Sequence, residues 1–465
     1  MGRASRPHGI LTGLLAGFGL LLAADVSGAT DFYVKKGTGC QRGHPSCGVD
    51  EPGREFDDVD QCALAMRPGD TCWIKQGTYT NGATRNDRGT YVPRRGGRRD
   101  ARITFRAYPG HQPLFQSDAA WTLGVAGETH YVTYAGLSVD GVIRIQGDDE
   151  SDRVKGVIVE NCDIYGGGGK NDGNWSGIFA QWTEDLVVRN NHIHDTRVDG
   201  SSKGISIFNG RRTVVEHNYI HGNKSEAVFD KEGGENNVYR RNVFENNGKH
   251  LKINNQRDER GLYNVGTEIY ENLFLCDTGG GSTSVLMLKR PTKWKVYNNT
   301  AFECQGIEVR SRSGPAQGDA VYNNIWWRSE TRKMMWSSQV DDDREPAYMD
   351  HNLYAVGGKF RENRGAENKH TSYGLTSWAA REHPLRYDQH SLEADPLFVD
   401  TAARNFRLAP DSPARGAGRG GEHLGAYPRN DSADIGPIAP GVRAARPEAG
   451  PPPAAPAGRG APSAP

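Results

Sequence analysis

The sequence predicts an all-β fold, a right-handed parallel β-helix (solenoid) of about ten coils. Short apolar segments recur along the chain at a regular spacing, and each contains an Asn at the same place. A second strand in each repeat alternates inward and outward residues with period two. The 465 residues include 59 Gly and only 6 Met, a composition that favours a turn-rich β protein over a helical one. Stacked coils that bury each other's inner faces would satisfy all of these observations.

The first segment, residues 1–29, is predicted to be a secretion signal. Arg3 and Arg6 precede an apolar stretch at residues 10–24, and Ser27-Gly28-Ala29 has the small residues of a cleavage site. The apolar stretch is short for an uncleaved membrane anchor. We therefore expect a secreted protein, extracellular or periplasmic, with no membrane contact after cleavage.

Charge and composition indicate the domain organisation of the rest of the chain and exclude one class of partner. The 57 Lys and Arg balance the 57 Asp and Glu, and a nucleic-acid binder normally carries a basic surplus, so no nucleic-acid partner is expected. Residues 438–465 are rich in Pro and Ala and are interpreted as a disordered tail. Residues 30–437 are assigned to a single β-helix domain with an N-terminal cap, expected to be a monomer.

Export would permit disulfides, and the chain has seven Cys. We expect the pairs Cys40–Cys47 and Cys62–Cys72, because the members of each pair are close in sequence near the start of the domain, although four Cys allow three connectivities. Cys162 is interpreted as a buried structural thiol rather than a nucleophile.

The repeats occupy the centre of the chain, with an average spacing of about 27 residues. Each is a short β-branched or aromatic strand, then Asn, then another apolar pair. The eight segments are 159–164, 188–193, 215–220, 239–244, 269–274, 296–301, 321–326 and 349–354. Their Asn residues at 161, 191, 218, 242, 272, 299, 324 and 352 are expected to form a structural hydrogen-bonded ladder. A leucine-rich repeat is disfavoured because leucines do not mark the period and no intervening segment has helical periodicity.

Segments at the two ends of this region resemble secreted pectate-lyase-like β-helix proteins. Residues 63–71 (Ala-Leu-Ala-Met-Arg-Pro-Gly-Asp-Thr), followed by Gly-Thr-Tyr at 77–79, are similar to the start of the solenoid in those proteins. Asp-Pro-Leu-Phe-Val-Asp at 395–400, with Phe-Arg-Leu at 406–408 and Ser-Pro-Ala at 412–414, resembles its end. The resemblance spans roughly residues 31 to 437 and implies the fold rather than any one activity.

The coils around residue 230 resemble the active-site coils of alginate lyases and chondroitinase B. The likeness rests on residues 226–231 (Glu-Ala-Val-Phe-Asp-Lys), 237–242 (Asn-Val-Tyr-Arg-Arg-Asn) and 248–254. That family has a Lys before the ladder strand, and Lys231 matches it. Its next outward strand ends in Arg, whereas this chain has Asn254 there with no following His-Gly, so Arg257 and Lys252 are the candidates to replace that Arg.

Alignment of the second strands predicts which side chains share the outer surface. One inward position is assigned to Ile178, Ile205, Ala227, Leu251, Leu286 and Ile307. Parallel neighbours lie about 4.8 Å apart. The alignment therefore predicts one surface formed by Asp230, Lys252, Asn254, Lys289 and Arg310, with Lys231, Glu232 and Arg257 on the adjoining turn.

Such a surface is suited to an acidic, uronate-containing polysaccharide. β-Elimination removes the proton next to a uronate carboxylate, and the developing negative charge needs cationic or metal stabilisation. Lys231 and Lys252 are the candidate bases. The residues expected to bind the substrate are Lys289, Arg310, Asn254 and Arg257. Asp230 and Glu232 would orient the lysine or hold a Ca²⁺ ion, which takes oxygen ligands.

Other interpretations remain at this stage. The competing class is a non-catalytic glycan-binding or scaffold protein, since alternating surface charge occurs on any solenoid and would make each charged residue replaceable. The choice between elimination and epimerisation is open. A polygalacturonase-type hydrolase is disfavoured because its Asn-Thr-Asp and Gly-His-Gly motifs are absent. We expect four His to be structural or surface residues, because no metal-ligand spacing is evident: His192, His194, His217 and His221.

Overall fold

The computed structural model describes residues 28–80, 93–117, 121–167, 176–196, 202–254, 264–276, 284–289, 292–311, 318–328, 334–340, 346–364, 369–382 and 385–428. Within these residues the chain winds into a β-helix with three long sheets, in which each strand pairs in parallel with its counterpart on the next coil. The predicted all-β solenoid is confirmed. Two of the sheets have 12 described strands each, so the number of coils differs from the ten or so expected.

The first sheet contains the strands that precede the Asn of each repeat. Val159, Val188 and Val215 pair on successive strands, point inward and are fully buried. Its strands are Asp31–Val34, Thr71–Ile74, Ile103–Ala107, Val132–Ala135, Ile158–Glu160, Val187–Arg189, Val214–Glu216, Val238–Arg240, Glu268–Tyr270, Lys295–Tyr297, Ala320–Tyr322 and Tyr348–Asp350.

The second sheet contains the strands that follow the Asn. Ile164, Ile193 and Ile220 point inward, and the residues beside them point outward. Its strands are Thr78–Thr80, Leu114–Gln116, Ser138–Gly141, Asp163–Gly166, His192–Thr196, Tyr219–His221, Val243–Glu245, Leu273–Leu275, Thr300–Phe302, Ile325–Trp327, Leu353–Tyr354 and Leu392–Glu393.

The third sheet has longer strands and ends in one antiparallel strand, Lys369–Tyr373. Its other strands are Leu123–Ala126, Ile143–Gln146, Ser176–Gln181, Lys203–Phe208, Glu226–Lys231, Lys249–Asn254, Ser284–Lys289, Gln305–Ser311, Met334–Val340 and Lys359–Arg364. A further pair, Val154–Lys155 and Thr183–Glu184, forms a small parallel sheet, and a short helix, Leu375–Ala379, follows the third sheet.

The predicted Asn ladder is confirmed from Asn191 onward. Each Nδ2 donates to the Oδ1 of the next Asn across 2.9–3.0 Å, through positions 191, 218, 242, 272, 299, 324 and 352. The prediction for Asn161 is wrong by one residue. The backbone N–H of Cys162 donates to Asn191 Oδ1 at 2.9 Å, so Cys162 holds the ladder position and Asn161 lies in the preceding turn with φ 54°.

The N-terminal end is capped by the helix Val59–Ala65, whose first N–H is bonded by the Asp58 side chain. Both predicted disulfides are present: Cys40–Cys47, and Cys62–Cys72, which links the helix to the first sheet. Among the described residues Cys162 is the free cysteine, and it is buried as expected, which raises the pKa of its thiol to about 12.

A third disulfide, Cys276–Cys304, was not anticipated. Its Cα atoms lie 5.1 Å apart, and the two residues are 28 apart in sequence. That separation is close to one repeat, and the two cysteines follow the paired strands Leu273–Leu275 and Thr300–Phe302 on successive coils. The spacing of the repeat was therefore the signal that identifies this pair.

The last described residues run back along the solenoid. Strands Phe398–Asp400 and Asn405–Leu408 form an antiparallel pair. Residues 398–427, which we call the C-terminal strap, cover outward apolar side chains of the second sheet. Strap residues Phe406 and Tyr427 cluster with Tyr219 and Val243, and Leu424 clusters with Leu353. The segments at 395–400, 406–408 and 412–414 therefore do more than end the solenoid, since they also cover one of its faces.

Two predicted segments fall outside this description. Apart from residues 28 and 29, the secretion signal at 1–29 lies outside the described residues, and so does the tail at 438–465. Among the residues that are described, we find no helix with the length and apolar character needed to cross a membrane.

Candidate functional site

The outer face of the third sheet carries the residues singled out from the sequence, with one change of register. Val228 pairs with Ile205 on one side and with Leu251 on the other, so Val228 occupies the inward position that was assigned to Ala227. Ala227 and Val228 are both apolar and both buried, and the alternation of residue types did not distinguish them. A shift of one residue moves every side chain of the strand to the opposite face.

This change corrects the prediction for Asp230. Its side chain is fully buried on the inner face, where it accepts hydrogen bonds from Asn237 Nδ2 at 3.0 Å and from the Tyr239 hydroxyl at 2.8 Å. Burial raises the pKa of Asp230 to about 6. Glu232 lies in the following turn and instead contacts Lys231. The two carboxylates proposed as Ca²⁺ ligands therefore lie on different sides of the strand and do not converge on one ion.

Lys231, rather than Asp230, takes the outward place. By backbone register Lys231 pairs with Asn254, Asn254 with Lys289, and Lys289 with Arg310, so these four predicted residues form one column across four coils. Lys252 lies in the neighbouring outward column, between Phe229 and Met287. Arg257 lies outside the described residues.

Three phenylalanine rings pack beneath the lysine side chains, a feature that the sequence pattern did not reveal. Phe179, Phe208 and Phe229 come from three consecutive strands and pack edge to face, with centroids 5.3 and 6.0 Å apart. Lys231 Nζ lies 4.8 Å from the Phe208 centroid. Lys252 Nζ lies 4.9 Å from the Phe229 centroid, and Lys203 Nζ lies 5.3 Å from it.

We call these six residues, Phe179, Phe208, Phe229, Lys203, Lys231 and Lys252, the basic-aromatic surface. The negative face of an aromatic ring attracts a cation, so each ring helps to fix the ammonium group above it. Arg144 continues the pattern on the preceding coil, with its guanidinium carbon 4.4 Å from the centroid of Phe179. The arrangement holds several positive charges over neighbouring coils on one face of the protein.

Each of the two candidate bases is paired with a carboxylate. Lys252 Nζ lies 2.9 Å from Glu226 Oε1, and Lys231 Nζ lies 2.6 Å from Glu232 Oε1. Burial opposes ionisation of Glu226, but hydrogen bonds from Ser225 and Lys252 outweigh it and lower the pKa of the carboxyl. Both lysines are partly accessible, with 22% and 17% of their side chains exposed. Each pair thus places a carboxylate directly beside the amine of a candidate base.

Two polar atoms in the same columns are unpaired among the described residues. Ser206 Oγ lies between Phe179 and Phe229 in register, and Asn254 Oδ1 lies next to Lys231; neither has a hydrogen-bond partner. Buried polar atoms normally have a partner.

A histidine group on the outer face of the second sheet was also missed. His192, His194 and His221 each offer one nitrogen, and these nitrogens all lie within 4.8 Å of one another. Asp195 directly follows His194 in the sequence and contacts it, and Asp163, one coil earlier, contacts both His192 and His194. His217 lies in the turn before the strand with φ 55° and is not one of the three. Comparison of residues one repeat apart would have revealed the group.

Comparison with known proteins agrees with the fold. Residues 133–274 match a family model described as a right-handed β-helix region. A crystal structure of the pectate lyase Pel9A matches with a TM-score of 0.51 at 14% identity, covering 86% of this chain and 97% of that one. An alginate lyase from Paenibacillus sp. str. FPU-7 matches with a TM-score of 0.43 at 16% identity, covering 63% of this chain and 94% of that one.

One curated relative matches over a limited region. It is the uncharacterized protein YwoF of Bacillus subtilis (strain 168), 29% identical over 147 residues, with 26% of this chain and 31% of that protein covered. The chain thus spans about a third of that relative. Together with the three sheets, these likenesses confirm the resemblance to pectate-lyase-like β-helix proteins at the level of the fold.

Proposed function

We propose that this chain binds an acidic, uronate-containing polysaccharide across the basic-aromatic surface and cleaves it by β-elimination. The observation that carries the proposal is the alignment of Lys203, Lys231 and Lys252 above phenylalanine rings on consecutive coils. A uronate polymer has a carboxylate on successive sugars, and charge-assisted hydrogen bonds to ammonium groups are the strong ones. A polymer lying across the coils would meet one cation after another.

The reaction would require one lysine to give up its proton first. In the elimination, a base takes the proton from the carbon next to the uronate carboxylate. The electron pair of that C–H bond forms a double bond in the sugar ring, and the bond to the glycosidic oxygen breaks. The departing oxygen is protonated by the ammonium group that the base has become. Lys252 can act as the base after passing its proton to Glu226, and Lys231 after passing its proton to Glu232, since each pair lies within hydrogen-bond reach.

The remaining cations would stabilise the charge that develops on the substrate carboxylate. A fixed positive charge is most effective where water is partly excluded, as it is over the phenylalanine rings. Lys289 and Arg310 lie one and two coils beyond Asn254 in register. They are proposed to hold the carboxylate of the next sugar. Asn254 would contribute a hydrogen bond through its unpaired oxygen. The proposal is compatible with the fold, which the pectate lyase Pel9A shares.

Three disulfides in the described part of the chain support a secreted location, because disulfides persist in oxidising compartments. We therefore propose that the substrate is an extracellular polymer.

The test is a panel of polysaccharides incubated with the protein: pectate, alginate, chondroitin sulfate and a neutral glucan. Formation of unsaturated product is followed by ultraviolet absorbance, and binding is followed by affinity electrophoresis. Product from an acidic polymer, with none from the glucan, is the expected result. If the protein binds the acidic polymers no better than the glucan, the proposal is wrong.

A second function, binding without cleavage, is favoured by one observation. Both candidate bases lie beside carboxylates, which fix the two side chains in position to hold anions. In that case the acidic polymers would be retained in the electrophoresis while no unsaturated product forms.

A further inference from the structure

We propose that the outer face of the second sheet binds a divalent transition-metal ion of the Zn²⁺ class through His192, His194 and His221. This site lies on a different sheet from the basic-aromatic surface, and the inference does not depend on the proposed function. Imidazole nitrogen is a preferred ligand of Zn²⁺, Ni²⁺ and Cu²⁺.

Carboxylates orient two of the three rings. His192 Nδ1 lies 2.9 Å from Asp163 Oδ1, and His194 Nδ1 lies 2.8 Å from Asp195 Oδ2. When one ring nitrogen donates its proton to a carboxylate, the other nitrogen presents a lone pair. This pairing of carboxylate and histidine is the arrangement that surrounds metal-bound histidines in proteins.

A metal ion would replace hydrogen bonds that now hold the ring nitrogens close together. His192 Nε2 lies 2.8 Å from His221 Nε2, and His194 Nε2 lies 3.2 Å from Asp163 Oδ1. In the first contact one nitrogen donates and the other accepts, and in the second the nitrogen donates to the carboxylate, so shared protons occupy the place that a metal ion would take. A metal ion bonded to all three rings would satisfy these atoms at once, with Asp163 as a neighbouring anion.

The distances are close to those a metal would need. Zn–N bonds of about 2.0–2.1 Å in a tetrahedral site place two ligand nitrogens roughly 3.3 Å apart. His192 and His221 would therefore have to separate by about half an ångström relative to their present contact, a small movement for rings at the protein surface. The side chains of His192 and His194 are 37% and 18% exposed, which leaves room for that adjustment.

The position of the C-terminal strap supports a site that is open to ligands. The outward column of the second sheet is apolar where the strap covers it, as at Val243 and Leu273. Tyr219 marks the boundary, because it packs in the strap cluster and also stacks on His192, with centroids 5.4 Å apart and planes within 3°. Beyond Tyr219 the same column continues as His192 and Asp163. The residue types thus change from apolar to metal-ligating where the cover ends.

The test is calorimetric titration of the full chain, free of any histidine tag and treated with a chelator, with ZnCl₂ alone and separately with NiCl₂. The variants are His221→Gln and His192→Gln. The control is His390→Gln, because His390 belongs to another described group with a suitable donor set, Asp350, His351 and His390. Melting temperatures without metal establish that each variant is folded.

We expect one site in the wild type that is weakened at least tenfold by His221→Gln and by His192→Gln, and unchanged by His390→Gln. Asp163→Asn should weaken it by about 10–100-fold while leaving the three ligands in place. Absence of Zn²⁺ and Ni²⁺ binding in the wild type would overturn the inference. So would a loss of binding that follows His390→Gln and not the two cluster variants. If one cluster variant fails to fold, the other decides the outcome.

Discussion

The Nζ atom of Lys252 lies 4.9 Å from the centre of the Phe229 ring on the preceding strand. The same ammonium group is 2.9 Å from Glu226, the first residue of that preceding strand, so the ring and the carboxylate together hold it in place. Such a cation is fixed in place before any ligand arrives. Preorganised charge costs little reorganisation when the substrate binds.

Lys252→Ala should weaken binding of an acidic polysaccharide, because it removes a fixed cation. If Lys252 is also the base, Lys252→Ala should lower kcat by orders of magnitude, whereas Lys231→Ala should mainly weaken substrate binding. The reverse pattern would identify Lys231 as the base. The matched control is Lys295→Ala, since Lys295 forms a similar pair with Glu268 at 2.8 Å on the outer face of the first sheet. A loss within threefold for both variants, about 0.7 kcal/mol, would mean that the site lies elsewhere.

Asp230→Asn should change how stability depends on pH. The pKa of Asp230 in the folded protein is about 6, above the ordinary value of 3.8, so the folded state binds the proton more tightly than the unfolded state. This group therefore stabilises the fold below about pH 4, and the contribution is lost as the pH rises through 6. Two pKa units correspond to about 3 kcal/mol. We expect urea unfolding between pH 4 and 7 to show a smaller fall in stability for the variant. An identical pH profile would contradict the assignment.

Replacement of Cys276 and Cys304 by Ala should lower the free energy of unfolding by about 3–4 kcal/mol, because the disulfide closes a loop of roughly one coil. The measurement is urea denaturation of the double variant beside the wild type, without reductant. Mass spectrometry of the unfolded wild type should find one alkylatable thiol, that of Cys162, among the cysteines of the described residues. Equal stability of the two proteins would show that the cross-link adds nothing to the stacking of these coils.

Asn242→Ala should destabilise the protein by about 2–4 kcal/mol, because it leaves buried partners on both neighbouring coils unpaired. Asn161→Gly is the control. Asn161 belongs to the repeated sequence pattern but lies outside the ladder, and Gly suits its φ of 54°. A cost for the control as large as that for Asn242→Ala would place Asn161 in the ladder after all.

The repeat of the Asn was sufficient to predict the solenoid, because an amide can bond to its own copy only when coils stack in register. It was harder to predict which residues of the third sheet point inward and which point outward. Ile205 and Val228 pair across only 23 residues, a short coil, and the adjoining Ala227 is also apolar, so neither spacing nor residue type fixed which residue points inward. The faces of Asp230 and Lys231 both depended on that choice.

The histidine group could not be found from local spacing for a related reason. Its acidic partner, Asp163, comes from the coil before His192, and the bulge in the pairing between these strands is not visible in the sequence. The phenylalanine rings of the basic-aromatic surface also look like ordinary core residues until their outward direction is known. Both groups are properties of the stacking rather than of any one coil.

The return of residues 398–427 has a consequence for how the protein comes apart. A stack in which each unit contacts only its neighbours can unzip from either end, one unit at a time. Here the Ala426 backbone N–H donates to Thr300 Oγ1 at 2.9 Å, and Arg404 forms an ion pair with Glu245. The C-terminal strap is therefore bonded to coils in the middle of the solenoid. The later coils cannot unfold separately without breaking these contacts, so they unfold together.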